Sequence, residues 1–327
     1  TYFHTFGSGA NGVVRTVMMD DCRNLYIAGD FTTVGGVSTG PVAVLKYGES
    51  SFSKIGDYSS SISPSVRALT VDCFKKPSIS NKQCVCDVYA TGLFTFSYGN
   101  DQTAVNVAKY AGATGAWDNL GGATAHSIVT TGRLVYKKTF VGSASNIVHV
   151  AGDGFYKQYL TDTKAWQDVL VDATVDFNGL YYDPEIFSTD QMYFAGDFEI
   201  DIGSGKTCEN VCEYNRKDKK WSAVGTTNVP TSEIKAIAGN GDDVYVAGNF
   251  NNAPLSYVAK LKDGSSTWSN VHSSDSTVAT GEMNVIKVCT STSFKCSSGS
   301  VSLGGDAGFA AFYDASKSEW KKFGTTY

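Results

Sequence analysis

Apolar positions in this chain alternate with polar ones in short runs and nowhere settle into the 3.6-residue period of a helix. The clearest run is Leu25-Tyr26-Ile27-Ala28-Gly29-Asp30-Phe31, a strand that ends in glycine and an acid and is followed by an aromatic residue. The pattern returns at Val88 to Phe94, Val148 to Phe155, Met192 to Phe198, Val244 to Phe250 and Val301 to Phe309, with motif glycines at Gly29, Gly92, Gly152, Gly196, Gly248 and Gly305. Their spacings of 63, 60, 44, 52 and 57 residues match a four-stranded unit better than a two-helix repeat. Apolar strands precede the glycine runs at Val14 to Val17, Val66 to Val71, around Ile128 to Tyr136, Phe177 to Tyr182, Ile234 to Ala238 and Met283 to Val288. In each unit these are strands A and B.

A second periodic signal follows. Tyr110 and Trp117, Tyr159 and Trp166, Tyr214 and Trp221, Leu261 and Trp268, and Tyr313 and Trp320 are each seven residues apart, and all five tryptophans of the chain lie in this slot. In the first unit the corresponding residues are read as Tyr47 and Phe52, with a shorter turn. The first member closes a strand C and the second opens a strand D, so Phe52 and the tryptophans are expected to form aromatic seams between neighbouring sheets. Six units of four strands predict an all-β, six-bladed β-propeller in one domain. The approximate blades are 8–59, 60–122, 123–171, 172–228, 229–275 and 276–327.

Composition supports a folded β protein. The chain is 42% hydrophobic, 13% aromatic and 18% charged, too apolar and aromatic for a disordered segment. Its net charge of −5 and lack of a Lys/Arg cluster argue against nucleic acid as a partner. No apolar run of membrane-spanning length occurs. The start at Thr1 instead of Met is accounted for by a removed secretory leader or equally by a trimmed chain.

The stretch Leu25 to Gly36, followed by Val42 to Tyr47 and Phe52 to Gly56, resembles the delta-60 and Rax2-like propeller repeats, which are kelch-related. The resemblance covers essentially the whole chain and is strongest in units one, four and five. Units three and six depart from it: His149 and Ser302 occupy the tyrosine slot of strand B, Gly154 is inserted before Phe155, and the path from Gly305 to Phe309 is longer. The resemblance implies a secreted or cell-surface propeller in adhesion or structure, and it carries no catalytic residues.

Phe3-His4-Thr5-Phe6-Gly7 has the aromatic-to-glycine spacing of a strand D, matching Phe52 to Gly56, Trp117 to Gly121, Trp221 to Gly225 and Trp320 to Gly324. It is a surplus strand. Phe3, His4, Phe6 and Gly7 either close the sixth blade of the same molecule or pair with the open edge of a second copy to build an oligomer or filament.

Eight cysteines without a zinc-like double CxxC are read as four disulfides formed in an oxidising, extracellular compartment. The repeat register suggests Cys73–Cys84 and Cys289–Cys296 within blades, Cys208–Cys212 as a small loop, and Cys22–Cys86 between the first two blades. A metal site at Cys84 and Cys86 is the weaker reading. None of the seventeen asparagines begins an N-x-Ser/Thr sequon.

Strand A is usually innermost in a propeller, which directs Arg15, Arg67, Asn178, Lys235 and Asn284 toward the channel as a ligand-binding set for an anionic or sugar-like molecule. Asp30, Asp153, Asp197, Asn249 and Asp306 follow the motif glycines. They are read as turn-stabilising acceptors, because a device repeated in every blade serves structure rather than catalysis. Asp20-Asp21 and Asp242-Asp243 are read as solvated turn residues. The four histidines form no arrangement with Ser, Cys and an acid, no phosphate loop is present, and no cofactor or metal is expected. The expected role is extracellular and structural or adhesive, with self-association or extracellular glycans as partners. A carbohydrate-binding propeller is the alternative, and a glycoside hydrolase is third.

Overall fold

The computed structural model describes residues 8–20, 22–60, 64–75, 84–99, 102–120, 133–138, 146–160, 162–182, 191–240, 243–252, 254–271, 283–289, 299–305 and 310–323. Short alternating runs satisfy their backbone groups by pairing side by side, and every regular element among the described residues is a strand. The fold is a six-bladed β-propeller of antiparallel sheets. The chain divides into two compact units, Thr1–Val171 and Asp172–Tyr327.

In the first unit, β1 (Val14–Met19) and β2 (Leu25–Gly29) begin a blade that is interrupted by a small hairpin, β3 (Thr33–Val34) and β4 (Val37–Ser38). β5 (Val42–Leu45) and β6 (Ser53–Lys54) complete the order β1-β2-β5-β6. The second blade contains β7 (Ser59–Ser60), β8 (Ser65–Lys75), β9 (Val85–Tyr98), β10 (Gln102–Ala111) and β11 (Ala116–Asp118); β7 and β8 both pair with β9. β12 (Arg133–Lys138) and β13 (Asn146–Leu160) follow, and β14 (Ala165–Tyr182) runs through the boundary between the units.

In the second unit, the later part of β14 pairs with β15 (Gln191–Gly203), and β16 (Lys206–Asn215) and β17 (Lys220–Ala223) continue that sheet. The next blade is β18 (Ile234–Gly239), β19 (Asp243–Gly248), β20 (Val258–Lys262) and β21 (Trp268–Asn270). The last is β22 (Met283–Val288), β23 (Val301–Gly305), β24 (Ala310–Asp314) and β25 (Glu319–Phe323).

The two-residue period of a strand sends alternate side chains into two different seams. From β2, Tyr26 and Ala28 join a core with Val66, Val88, Phe96 and Trp117 of the second blade. Ile27 and the following Phe31 join Val34, Ala43, Leu45 and Phe52 on the opposite face. Each fully buried aliphatic or aromatic side chain contributes about 1.5–3 kcal/mol, so these seams supply the main driving force for stacking one blade on the next. First strands lie against first strands: β1 against β8 and β8 against β12 in the first unit, and β18 against β22 in the second.

The tryptophan slot is more specific than a hydrophobic seam. Trp117, Trp221, Trp268 and Trp320 sit directly opposite Tyr110, Tyr214, Leu261 and Tyr313 across the last two strands of their blades. The indole N–H of Trp117 donates to the carbonyl of Ile55 at 2.8 Å, that of Trp166 to Leu120 at 2.9 Å, and that of Trp268 to Val224 at 2.9 Å. In every case the acceptor closes the D strand of the preceding blade, one residue before a glycine. Gly56 and Gly225 adopt left-handed φ values of 67° and 74°. A Cβ on Gly225 would lie 2.7 Å from the Trp268 indole nitrogen, so the small residue serves both the turn and the docking ring.

The first blade corrects one pairing. Tyr47 is 68% exposed, with the Arg23 guanidinium 5.4 Å from its ring, rather than closing the seam. The ladder Ala43↔Lys54 and Val44↔Ser53 brings Leu45 into register with Phe52, which restores the seven-residue spacing and matches Leu261 with Trp268. Leu45 and Phe52 share one buried cluster.

The disulfides correct two further pairings. The bonds are Cys22–Cys84 and Cys73–Cys86, rather than Cys22–Cys86 and Cys73–Cys84. In the ladder of β8 and β9, Cys73 is the direct cross-strand neighbour of Cys86, with Cα atoms 4.0 Å apart, which commits these two to each other. Cys84, just before β9, is left for the β1–β2 turn. The first bond closes a separation of 62 residues, and on a loop-entropy basis it contributes about 4 kcal/mol. Cys208 bonds Cys212. Cys289 is disulfide-bonded, and Cys296 lies outside the described residues.

Candidate functional site

In five of the described A–B ladders an apolar residue of strand A stands opposite the motif glycine, and the register then skips one residue of strand A. The pairs are Val14↔Gly29, Val66↔Gly92, Phe177↔Gly196, Ile234↔Gly248 and Met283↔Gly305, and the next strand A partners are Thr16, Ala68, Gly179, Ala236 and Val285. The skipped residues are Arg15, Arg67, Asn178, Lys235 and Asn284. A β-bulge therefore lies at every position selected from the alternation of strand A. In the third blade the ladder begins at Arg133↔Ala151, and the residue opposite Gly152 lies outside the described residues.

The motif glycine accounts for the bulge. A Cβ at Gly29 would fall 2.0 Å from the Val13 carbonyl oxygen, at Gly92 2.1 Å from that of Ser65, and at Gly248 2.4 Å from that of Glu233. The incoming backbone of strand A occupies the space a side chain would need. The next main-chain N–H then closes the turn: Asp30 donates to Val13 at 2.8 Å and Asn249 to Glu233 at 3.0 Å. Val66, Phe177, Ile234 and Met283 are buried beside the bulge, which anchors the strand while the polar residue is displaced from the regular pleat.

In the first unit this geometry joins the guanidinium of the first bulge residue to a carboxylate. Arg15 clasps Asp30 in a two-pronged bond, Nε to Oδ1 at 2.7 Å and Nη2 to Oδ2 at 2.5 Å. The expectation that Asp30 serves a turn through its carboxylate is thus corrected: its main chain closes the turn and its side chain holds a cation. Arg67, on β8, adds its charge to the field at Asp30. The Arg67 Nε–H is shielded from solvent and meets no acceptor among the described residues. A buried donor left without an acceptor costs about 1–3 kcal/mol.

Arg15 holds the Asp30 carboxyl below the usual carboxylate range, mainly by hydrogen bonding and against a burial that pushes it up. A depressed carboxyl stabilises the fold above its unfolded value near 3.8, and that contribution is lost as pH falls through the lower folded value. In urea unfolding, Asp30→Asn is expected to be less stable than the parent at pH 7, with the gap closing as the solution is acidified below the ordinary carboxylate range.

In the second unit, Lys235 is paired with Glu233, two residues before it on the same strand entry. This neighbour carries no repeat signal. Asn284 occupies its bulge and is hydrogen-bonded or otherwise engaged. For Asn178 the backbone is described and shows the same register shift, but its side chain is outside the described set. Asp197 stands opposite Asp176 in the β14–β15 ladder, the side chain of Asp153 is outside the described set, and Asp306 lies outside the described residues. Phe3, His4, Phe6 and Gly7 also lie outside them.

Asp20 departs from expectation. It is buried, and its carboxylate accepts the Cys22 and Asn24 N–H groups at 2.8 Å each, the Asn24 amide at 2.7 Å and the Tyr26 hydroxyl at 3.1 Å. It organises the β1–β2 turn. Burial, the charge of Asp20 and its hydrogen bond hold the Tyr26 phenol well above its ordinary range, so Tyr26 remains a donor. No helix among the described residues is long and apolar enough to cross a membrane.

No protein-family model matches the chain, and no curated protein matches it. Among solved structures, the chain is similar to one described as YCF48 bound to D1 peptide, with a TM-score of 0.57 and 11% identity over 96% of this chain and 82% of that one. At that identity the likeness speaks to the fold, and the fold is a β-propeller.

Proposed function

We propose that this protein is an extracellular adhesive propeller that uses its bulge residues to hold an anionic ligand, the carboxylates or sulfates of an acidic glycan. The observation that carries this reading is the Arg15–Asp30–Arg67 group, in which one guanidinium is neutralised by a carboxylate and a second keeps a buried N–H without an acceptor. Guanidinium groups suit such ligands because their parallel donors match the paired oxygens of a carboxylate or sulfate. Repeated disulfides favour an oxidising compartment outside the cell. The resemblance to delta-60 and Rax2-like repeats supports the same placement. YCF48, the structural neighbour, is described with a bound peptide, which is in keeping with a propeller used for binding.

Arg67→Ala is expected to weaken binding of an oligogalacturonate by about tenfold, equivalent to roughly 1.4 kcal/mol, with an unchanged melting temperature. Affinity should fall with added salt, and neutral oligosaccharides should bind no better to the parent than to the variant. Calorimetric titration of both proteins provides the measurement. Equal affinities would remove Arg67 from the site.

A second reading, self-assembly through strands, is favoured by the exposed apolar residues of β1. Val14, Val17 and Met19 are 41%, 55% and 59% exposed on a strand that ends its sheet. An apolar strand at a sheet edge invites a further strand from a second copy. Under this reading, removing residues 1–7 leaves a folded monomer and abolishes concentration-dependent oligomers in light scattering. An unfolded product, or unchanged oligomers, would oppose it.

A further inference from the structure

We propose that Cys22, Cys73, Cys84 and Cys86 form a zinc–thiolate site in the reduced chain, so that a metal ion and two disulfides are alternative fasteners of the same junction between the first two blades.

The Sγ atoms of Cys73, Cys84 and Cys86 and a carboxylate oxygen of Asp20 all lie within 4.8 Å of one another. Cys22 is bonded to Cys84, and its sulfur, just outside that group, is the next thiolate in reach. A tetrahedral zinc ion with thiolate bonds of about 2.3 Å has sulfur–sulfur edges of about 3.8 Å. Three of the sulfurs are therefore already gathered on the scale of such a site. Three backbone segments place them: the β1–β2 turn, the end of β8 and the start of β9. Cys73 and Cys86 are fixed by direct cross-strand register, and Cys84 lies just before β9, two residues from Cys86.

Asp20 serves the site as support. Its Oδ1 takes the Cys22 N–H at 2.8 Å, which fixes the turn that carries that ligand, and its Oδ2 lies 3.6 Å from Cys86 Sγ. Both oxygens already accept hydrogen bonds from the turn, so the four thiolates are the natural first set and the carboxylate orients them. The chemistry balances with a phosphine as reductant. Each disulfide takes two electrons from one phosphine, water supplies the oxygen of the phosphine oxide and the two thiol protons, and four thiols then bind Zn²⁺ with loss of four protons.

The test uses the full chain, reduced anaerobically with a phosphine and titrated with Co²⁺ as a spectroscopic stand-in for Zn²⁺. The expected result is one Co²⁺ per chain at this cluster, with thiolate charge-transfer and tetrahedral ligand-field absorption that Zn²⁺ abolishes. The spectrum should be retained in Cys208→Ser/Cys212→Ser and lost in Cys73→Ser/Cys86→Ser and in Cys84→Ser. Asp20→Asn should keep the spectrum with affinity lowered by roughly 10–100-fold. Circular dichroism is recorded in parallel, with the expectation that reduced chain plus Zn²⁺ keeps its β-sheet signal. The proposal is overturned if the reduced chain gives no tetrahedral thiolate spectrum, folded or not. A spectrum that survives Cys73→Ser/Cys86→Ser, and so arises elsewhere, overturns it equally.

Discussion

Gly248→Ala is expected to destabilise the protein by about 3 kcal/mol, the upper end of the cost of overpacking a well-packed site. The new methyl group would sit 2.4 Å from the Glu233 carbonyl oxygen and 2.8 Å from the Ile234 Cα, and both neighbours are backbone. Neither can turn aside as a side chain would. The chain can relieve the contact only by opening the Ile234↔Gly248 end of the ladder, which disturbs the bulge at Lys235 and exposes Ile234, now fully buried. A substitution of Gly264 to Ala provides the contrast: its φ of 69° adds backbone strain, yet nothing lies within 4 Å of the added carbon. Chemical denaturation of the two variants measures the difference. If Gly248→Ala were no worse than Gly264→Ala, close approach of strand A would not be the reason for the motif glycine.

Trp268→Ala is expected to cost about 3–5 kcal/mol, in line with the loss of a large buried aromatic side chain. Trp268 is fully buried, lies among Val211, Val224, Ile234, Leu255 and Leu261, and bonds the Val224 carbonyl. Trp268→Phe separates these contributions. It keeps most of the apolar contact and leaves the carbonyl without its donor, a loss of about 1–3 kcal/mol. A double-mutant cycle with Gly225→Ala then measures their coupling. The Cβ at Gly225 collides with the indole, so part of its cost should vanish in the Trp268→Ala background, while the part due to the left-handed φ remains. Additive costs would contradict the docking of the ring on that glycine.

These two residue types also mark how far the fold could be read in advance. Gly29, Gly92 and Gly248 recur because the backbone demands them at one place in the blade, and a demand repeated in space becomes a spacing in sequence. The tryptophans recur for the same reason. Tyr47 misled because aromatic character alone does not set register; the ladder through Val44↔Ser53 does, and it selects Leu45. The cysteines show the limit most clearly. Cys84 and Cys86 are equivalent by local pattern, and only the pairing of Cys73 with Cys86 across β8 and β9 decides between them.

The candidate site was legible in part. Strand alternation selected Arg15, Arg67, Asn178, Lys235 and Asn284, but their common cause is a bulge, which belongs to a pair of strands and leaves no mark on one of them. The partners followed no repeat at all: Asp30 meets Arg15 only because the bulge displaces the arginine toward the strand end, and Glu233 meets Lys235 in a single blade. Asp20 was read as solvated because its position is a turn, while its four donors show that this turn is folded inward.

The most direct measurement of the account is a crystal structure of the protein with an acidic oligosaccharide such as trigalacturonate. The account predicts a ligand carboxylate within hydrogen-bonding distance of the Arg67 guanidinium, beside the retained Arg15–Asp30 pair. A ligand seated away from the bulge residues, or none at a concentration that saturates binding in solution, would contradict it.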